Sequence, residues 1–338
     1  MNIVFIVPTG IGCEIGGHAG DANPVVKLFA SLSDNLITHP NAVNASDINE
    51  MTENCLYVEG SILDRFLRGE IFLKKVFFNK ILLAVNEPLD NSTVNAVNAA
   101  RATIGADIQI MVLKTPLKMT GFYSKSGKAE GNVIGYLELI EQIRNFDFDA
   151  LAIQTDIFVK KETKLNYYRN GGINPWGGVE AIASKLIANK LNKPVAHAPY
   201  VNWQIEDRDL KDFNEIVDSR MAAEMVSVCY LHCILKGLHK APRIDKYGLS
   251  VDDIDLMISP MCFGEPHKAC LEKNIPILYV RENKVLYKNS GIPKNSVVCE
   301  NYLEAAGFVA TLKAGITYKS IRRPLSCVMS LDSYKSNT

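Results

Sequence analysis

Short runs of aliphatic and β-branched residues alternate along this chain with longer stretches whose apolar positions recur every three to four residues. The strand-like runs are Ile3–Val7, Val76–Val85, Asp107–Leu113, Ala150–Thr155, Pro194–His197, Leu256–Ser259 and Ile277–Val280. Several are continuously apolar, as expected where both faces of a sheet are covered. Helices are predicted over Asn23–Leu32, Ser61–Leu67, Ser92–Ile104, Asn132–Arg144, Gly178–Leu191, Asp218–Leu238, Glu265–Asn274 and Tyr302–Lys313. In Gly178–Leu191 the apolar residues at 179, 182, 183, 186, 187 and 191 form one stripe of helical period.

Strands alternating with helices predict an α/β fold, with largely parallel sheets covered by helices. The expected arrangement is two Rossmann-like lobes with a ligand cleft between them. The division falls near residue 145: a lobe over 1–145, a second over 146–325, and a frayed tail over 326–338. The polar, glycine-punctuated segment Met119–Gly131 is predicted as a long loop, as are Lys160–Trp176 and Asn202–Asn214. Loops of that length in a compact protein tend to carry function.

Charge narrows the partners. Lys and Arg total 37 and so do Asp and Glu, leaving no formal net charge. A neutral chain lacks the electrostatic footprint for nucleic acid or anionic membranes, so neither partner is expected. No apolar run approaches the roughly 18 residues of a membrane span, and the start, Met1–Pro8, has no basic leader preceding its strand. Eight dispersed cysteines then predict reduced thiols and a cytoplasmic setting. Cys229 and Cys233, four apart on a predicted helix, suit buried thiols better than a zinc site, which needs further ligands.

The densest candidate chemistry follows the first strand: Val7-Pro-Thr-Gly-Ile-Gly-Cys-Glu-Ile-Gly-Gly-His-Ala-Gly-Asp-Ala-Asn-Pro24. A glycine-rich turn entering a helix can hold phosphate or carboxylate on free N–H groups, and Thr9, Gly10, Gly12 and Gly17 are expected against such a ligand. Asp21 or Asn23 can cap the helix, with Pro24 in its first turn. The spacing fits neither the Walker loop nor the dinucleotide fingerprint. Cys13 is a candidate nucleophile or base near a helix start. His18 with Asp21 is a candidate base and orienting carboxylate, or a pair of metal ligands. Local packing and hydrogen bonding is the plainer account of each.

A second polar cluster, Ile37–Glu50, contributes Asn41, Asn44, Ser46 and Asp47 as candidate readers of a polar metabolite. Capping by Ser46 or Asp47 explains part of it. These two segments, with Leu56-Tyr-Val-Glu-Gly-Ser61, Asn174-Pro-Trp-Gly-Gly-Val-Glu180 and the segment containing Glu300-Asn-Tyr-Leu-Glu-Ala-Ala-Gly307, resemble domain of unknown function family 3326 over most of the chain. The resemblance implies no particular reaction, cofactor or catalytic residue.

Asn174, Gly177 and Gly178 repeat the glycine turn before a helix, where capping and ligand approach are equally good accounts. Glu180 sits in the first turn, favoured there by the dipole alone. Cys262 follows a later strand and is placed opposite Cys13 in the other lobe, like the paired thiols of cofactor-independent amino-acid racemases. Lys236, His239 and Arg243 would add positive charge if their stretch bent into the cleft.

The reading is an enzyme acting on a small carboxylate- or phosphate-bearing metabolite by acid/base or thiol chemistry. Cys13, His18, Asp21 and Cys262 are its catalytic candidates. Lyase, isomerase or group-transfer chemistry fits better than hydride transfer. A non-catalytic metabolite-binding protein and a metal-dependent enzyme using His18 and Asp21 are the alternatives. No metal site is assigned, the cofactor is left open, and a homodimer is the default assembly.

Overall fold

The computed structural model describes residues 1–17, 20–45, 47–200, 216, 219–226, 230–287, 291–293 and 296–328. In chain order its strands are β1 Asn2–Phe5, β2 Asn35–Thr38, β3 Cys55–Tyr57, β4 Phe72–Lys74, β5 Lys80–Asn86, β6 Asp107–Leu113, β7 Lys118–Tyr123, β8 Ala129–Ile134, β9 Ala150–Thr155, β10 Ile157–Phe158, β11 Val195–Pro199, β12 Arg243–Asp245, β13 Leu256–Pro260, β14 Ile277–Val280 and β15 Val297–Cys299. A six-stranded sheet runs β15-β14-β13-β1-β2-β3 and a four-stranded sheet runs β11-β9-β5-β6. Every pairing in these two sheets is parallel. The α/β class with largely parallel sheets is therefore as expected from the continuous apolar runs.

The sheets do not follow the halves of the sequence. β1 pairs with β13, and β5 pairs with β9. Strands on either side of residue 145 thus share each sheet, and a cut there would divide both. A strand's partner is set by long-range burial, which linear order does not reveal.

Helix bounds follow the 3.6-residue stripes closely, with Asn23–Leu32 and Tyr302–Lys313 as predicted and Gly177–Leu191 one residue longer. The predicted Asp218–Leu238 helix is Ser219–Val226 and Tyr230–Lys240, with the residues between them outside the described set. Behind β1, Phe5, Phe29 and Tyr302 cluster with ring centroids 5.7–6.2 Å apart. Burying an apolar ring of this size stabilises by roughly 1.5–3 kcal/mol.

Two predicted loops are regular structure. Lys161–Asn170 is a helix within Lys160–Trp176. Met119–Gly131 belongs to the antiparallel hairpin β7–β8, which also takes the first residues of the helix predicted from Asn132. The glycines that suggested a loop have another role. Gly121 and Gly131 are paired across the hairpin, and a Cβ on Gly131 would lie 2.3 Å from Val179 Cβ. One on Gly178 would lie 2.3 Å from Ala129 O. Their missing side chains let helix Gly177–Leu191 press on the hairpin. The segment Asn202–Asn214 lies outside the described residues.

A contrast in two glycines tests this. Gly178→Ala is expected to cost about 3 kcal/mol, since backbone blocks the new methyl. Gly307→Ala, in an exposed helical position with nothing within 4 Å, should instead stabilise by about 0.5–1 kcal/mol. Urea denaturation of both variants reads the two signs.

Candidate functional site

A cavity of about 840 Å³ opens beyond the carboxyl ends of strands from both parallel sheets. The six-stranded sheet contributes residues following β1, β2 and β3, from Thr9 to Gly17, His39 to Ala45, and Tyr57 to Gly60. The other walls come from β11, the segment after β9, helices Lys161–Asn170 and Gly177–Leu191, and the start of helix Tyr230–Lys240. Carboxyl ends of parallel strands are where open α/β sheets bind ligands, because helix starts and loops converge there.

Of the residues singled out from sequence, Thr9, Gly10, Gly12, Cys13, Gly17, Asn41, Asn44, Asn174 and Gly177 line this cavity. His18 and Ser46 lie outside the described residues, as does Cys229. Asp21, Asp47, Cys262 and Gly178 do not line it. Asp21 instead pairs with Arg220 at 2.7 Å, while Asp47 accepts a hydrogen bond from Asn23. Asn23–Leu32 has Ala22 at its cap position without a side-chain hydrogen bond, so neither Asp21 nor Asn23 caps it. No residue from Gly20 to Pro24 lines the cavity.

The glycine-rich loop is held largely by its own chain. Glu14 N donates to Lys284 O, Gly17 N to Asn41 O and Ile15 N to the fully buried Asn283. Arg220 donates to the carbonyls of Cys13 and Gly16 at 2.7 and 3.2 Å. Gly16 has φ of +93°, and a Cβ there would meet Val7 at 2.5 Å. Asn41 Nδ2 holds the carbonyls of Val7 and Pro8. Asn174 Oδ1 accepts from Trp176 N and Gly177 N, so the capping account holds for that side chain.

The thiols are not set up as nucleophiles. Cys13 and Cys262 follow neighbouring strands β1 and β13 of one sheet, rather than facing each other from separate lobes. Both are buried. Burial pushes the Cys13 thiol far up, with the nearby Cys262 adding to it, and pushes Cys262 up to about 11. Such thiols stay protonated at neutral pH. His267, close to Cys262, is neutral for the same reason: burial lowers it to about 4. Its Nδ1 accepts from Gly264 N, and its Nε2 meets Ser259 at 2.8 Å. His39 lines the cavity but spends Nε2 accepting from Val7 N, and burial lowers it to about 4. Lys236, His239 and Arg243 do not line the cavity. Arg243 is taken up by Asn79, Phe78 and Asp149. Among the described residues no group of three His, Cys, Asp or Glu is gathered as for a metal ion.

The pairing of titratable groups in the cavity is one that sequence reasoning missed. Glu180 Oε1 lies 3.1 Å from His197 Nδ1, and His197 Nε2 lies 2.9 Å from the Thr155 hydroxyl. With Nδ1–H donating to the carboxylate, Nε2 accepts from the Thr155 O–H. Thr155 and the His197 side chain are buried, whereas the Glu180 side chain is 26% exposed. The chain of hydrogen bonds therefore orients Glu180, the member that opens to the cavity. Nearby, Glu59 precedes helix Gly60–Leu67 and accepts from Ser61 N and Oγ. Its burial outweighs those hydrogen bonds and raises it to about 7. The Tyr57 hydroxyl is buried without a hydrogen-bond partner and senses both Glu59 and Glu180. Polar residues at the ends of buried strands, Thr155 and His197, were the available sequence signal.

Glu59 has a thermodynamic signature. Its folded-state value near 7 exceeds the ordinary carboxyl value of 4.5. The folded state thus holds the extra proton, and its contribution is lost as pH rises from about 4.5 through 7. Glu59→Gln should flatten stability across that window by about 3 kcal/mol, measured as urea midpoints at pH 5 and pH 8. Equal pH dependence in both proteins would mean that Glu59 ionises freely in the folded state.

A family model described as "Protein of unknown function (DUF3326)" matches residues 2–322. The chain is also similar to a protein of Synechococcus sp. named "Uncharacterized lipoprotein", 34% identical over 340 residues and covering 94% of this chain and 92% of that protein. No solved structure matches it. No helix among the described residues is long and apolar enough to cross a membrane.

Proposed function

The chain belongs to the DUF3326 family, and we propose that it is an enzyme that moves a proton on a small carboxylate- or phosphate-bearing metabolite held in this cavity. The observation carrying the proposal is the pairing of two unlike carboxyl groups in one pocket. Glu180 is half-buried and oriented by His197, whereas Glu59 is buried and raised to about 7. A carboxyl that burial raises towards neutrality can serve as the acid in a site where a second, oriented carboxyl serves as the base. Glu180 is the base and Glu59 the acid, with Thr9, Asn41, Asn44 and Gly177 around the body of the ligand. Lys161 and Lys164 bring positive charge to the same lining. The protonated state of the two buried thiols favours acid/base over thiol chemistry, and a lyase, isomerase or transferase follows. The free state of all seven described cysteines supports a cytoplasmic setting.

The test is a thermal-shift screen of small carboxylates and phosphates, followed by incubation of each stabilising compound in D₂O with NMR detection. Conversion or deuterium entry at a carbon supports the enzyme. A ligand that binds and stays unchanged would make this a binding protein.

A further inference from the structure

The inner end of the cavity is chemically one-sided. The Tyr57 side chain lines it, with the residue only 2% exposed and its hydroxyl without a hydrogen-bond partner. A buried hydroxyl left unpaired costs free energy that a ligand group can recover. Glu180 lines the same cavity and offers its second carboxylate oxygen, because His197 engages only Oε1. Glu59 supplies a second carboxyl. Glu59 and Glu180 both act electrostatically on Tyr57.

Resting on the reading of this cavity as a small-molecule site, we propose that the inner end receives an ammonium group, so that the ligand is an amine-bearing carboxylate or phosphate. An ammonium presents three N–H donors and no acceptor. Tyr57 Oη, the free Glu180 oxygen and a Glu59 oxygen are three acceptors for it. A ligand hydroxyl would satisfy the phenol but leave the Glu180 carboxylate without a counter-charge, and a ligand carboxylate would be repelled. The anionic end of the ligand then lies towards the glycine-rich loop and the two lysines.

Matched pairs test this by calorimetry on the full chain: alanine against propionate, 4-aminobutyrate against butyrate, and phosphoethanolamine against ethyl phosphate. At least one amine-bearing member should bind about tenfold or more tightly than its partner. Tyr57→Phe and Glu180→Gln should each shrink the ratio between the amine-bearing member and its partner. Equal or tighter binding of the amine-free members overturns the ammonium assignment and leaves the small-anion site intact. A preference for the amine that survives both substitutions overturns it as well. Failure of every member of the panel to bind overturns both readings.

Discussion

Glu180→Gln is expected to lower turnover by about 10²- to 10⁴-fold, the range that removal of a positioned general base produces. The amide keeps the size of the side chain but cannot take a proton. His197 Nδ1 would still find an oxygen there, so the hydrogen-bonded chain back to Thr155 can persist and the fold should survive. The readout is the rate of deuterium entry or conversion for the ligand found by the stabilisation screen, with circular dichroism confirming the fold. Retention of more than about a tenth of wild-type turnover would remove Glu180 from the base role. Cys13→Ala serves as the comparison. A protonated, buried thiol does no proton transfer at neutral pH, so turnover should change far less than with Glu180→Gln.

The largest stability effect should come from Arg220→Met, at about 3–5 kcal/mol. Arg220 is the counter-ion of Asp21, whose side chain is 10% exposed and whose second oxygen has no hydrogen-bond partner. The same guanidinium holds the Cys13 and Gly16 carbonyls. Removing it strands a buried carboxylate and releases the loop that lines the cavity, so ligand affinity should fall together with stability. Adding Asp21→Leu to Arg220→Met should restore part of the loss, since no charge is then left uncompensated. Urea denaturation of the two single variants and the double variant gives the coupling energy. A loss under about 1 kcal/mol in Arg220→Met would mean that the loop is fixed without this clamp.

Much of the architecture was legible because it is local. The stripe at 179, 182, 183, 186 and 187 belongs to a helix wherever that helix packs, and Ala150–Ile153 is continuously apolar because helices cover both sheet faces. Glycine was the main source of error. In Met119–Gly131 it was read as a sign of loop, although Gly121 and Gly131 sit within paired strands against a helix. In the loop after β1, Gly10, Gly12 and Gly17 line the cavity, while Gly16 also makes room for Val7. A missing side chain looks the same in the sequence whether the neighbour is a ligand or the protein itself.

The candidate site was legible in its glycine-rich wall and in Asn41, Asn44, Asn174 and Gly177, but not in its carboxyl groups. Glu59, Thr155, Glu180 and His197 lie on four segments, each of which has an ordinary local account: a helix cap, two strand ends and a first-turn carboxylate favoured by the dipole. The sequence by itself determined the α/β class, the bounds of the long helices and the neutral overall charge, since these depend on spacing and composition. Tertiary structure alone decided which strands share a sheet, that Asp21 answers to Arg220, and that two carboxyl groups in unlike surroundings face one cavity. Burial and proximity set ionisation, and both arise only when segments distant along the chain are packed together.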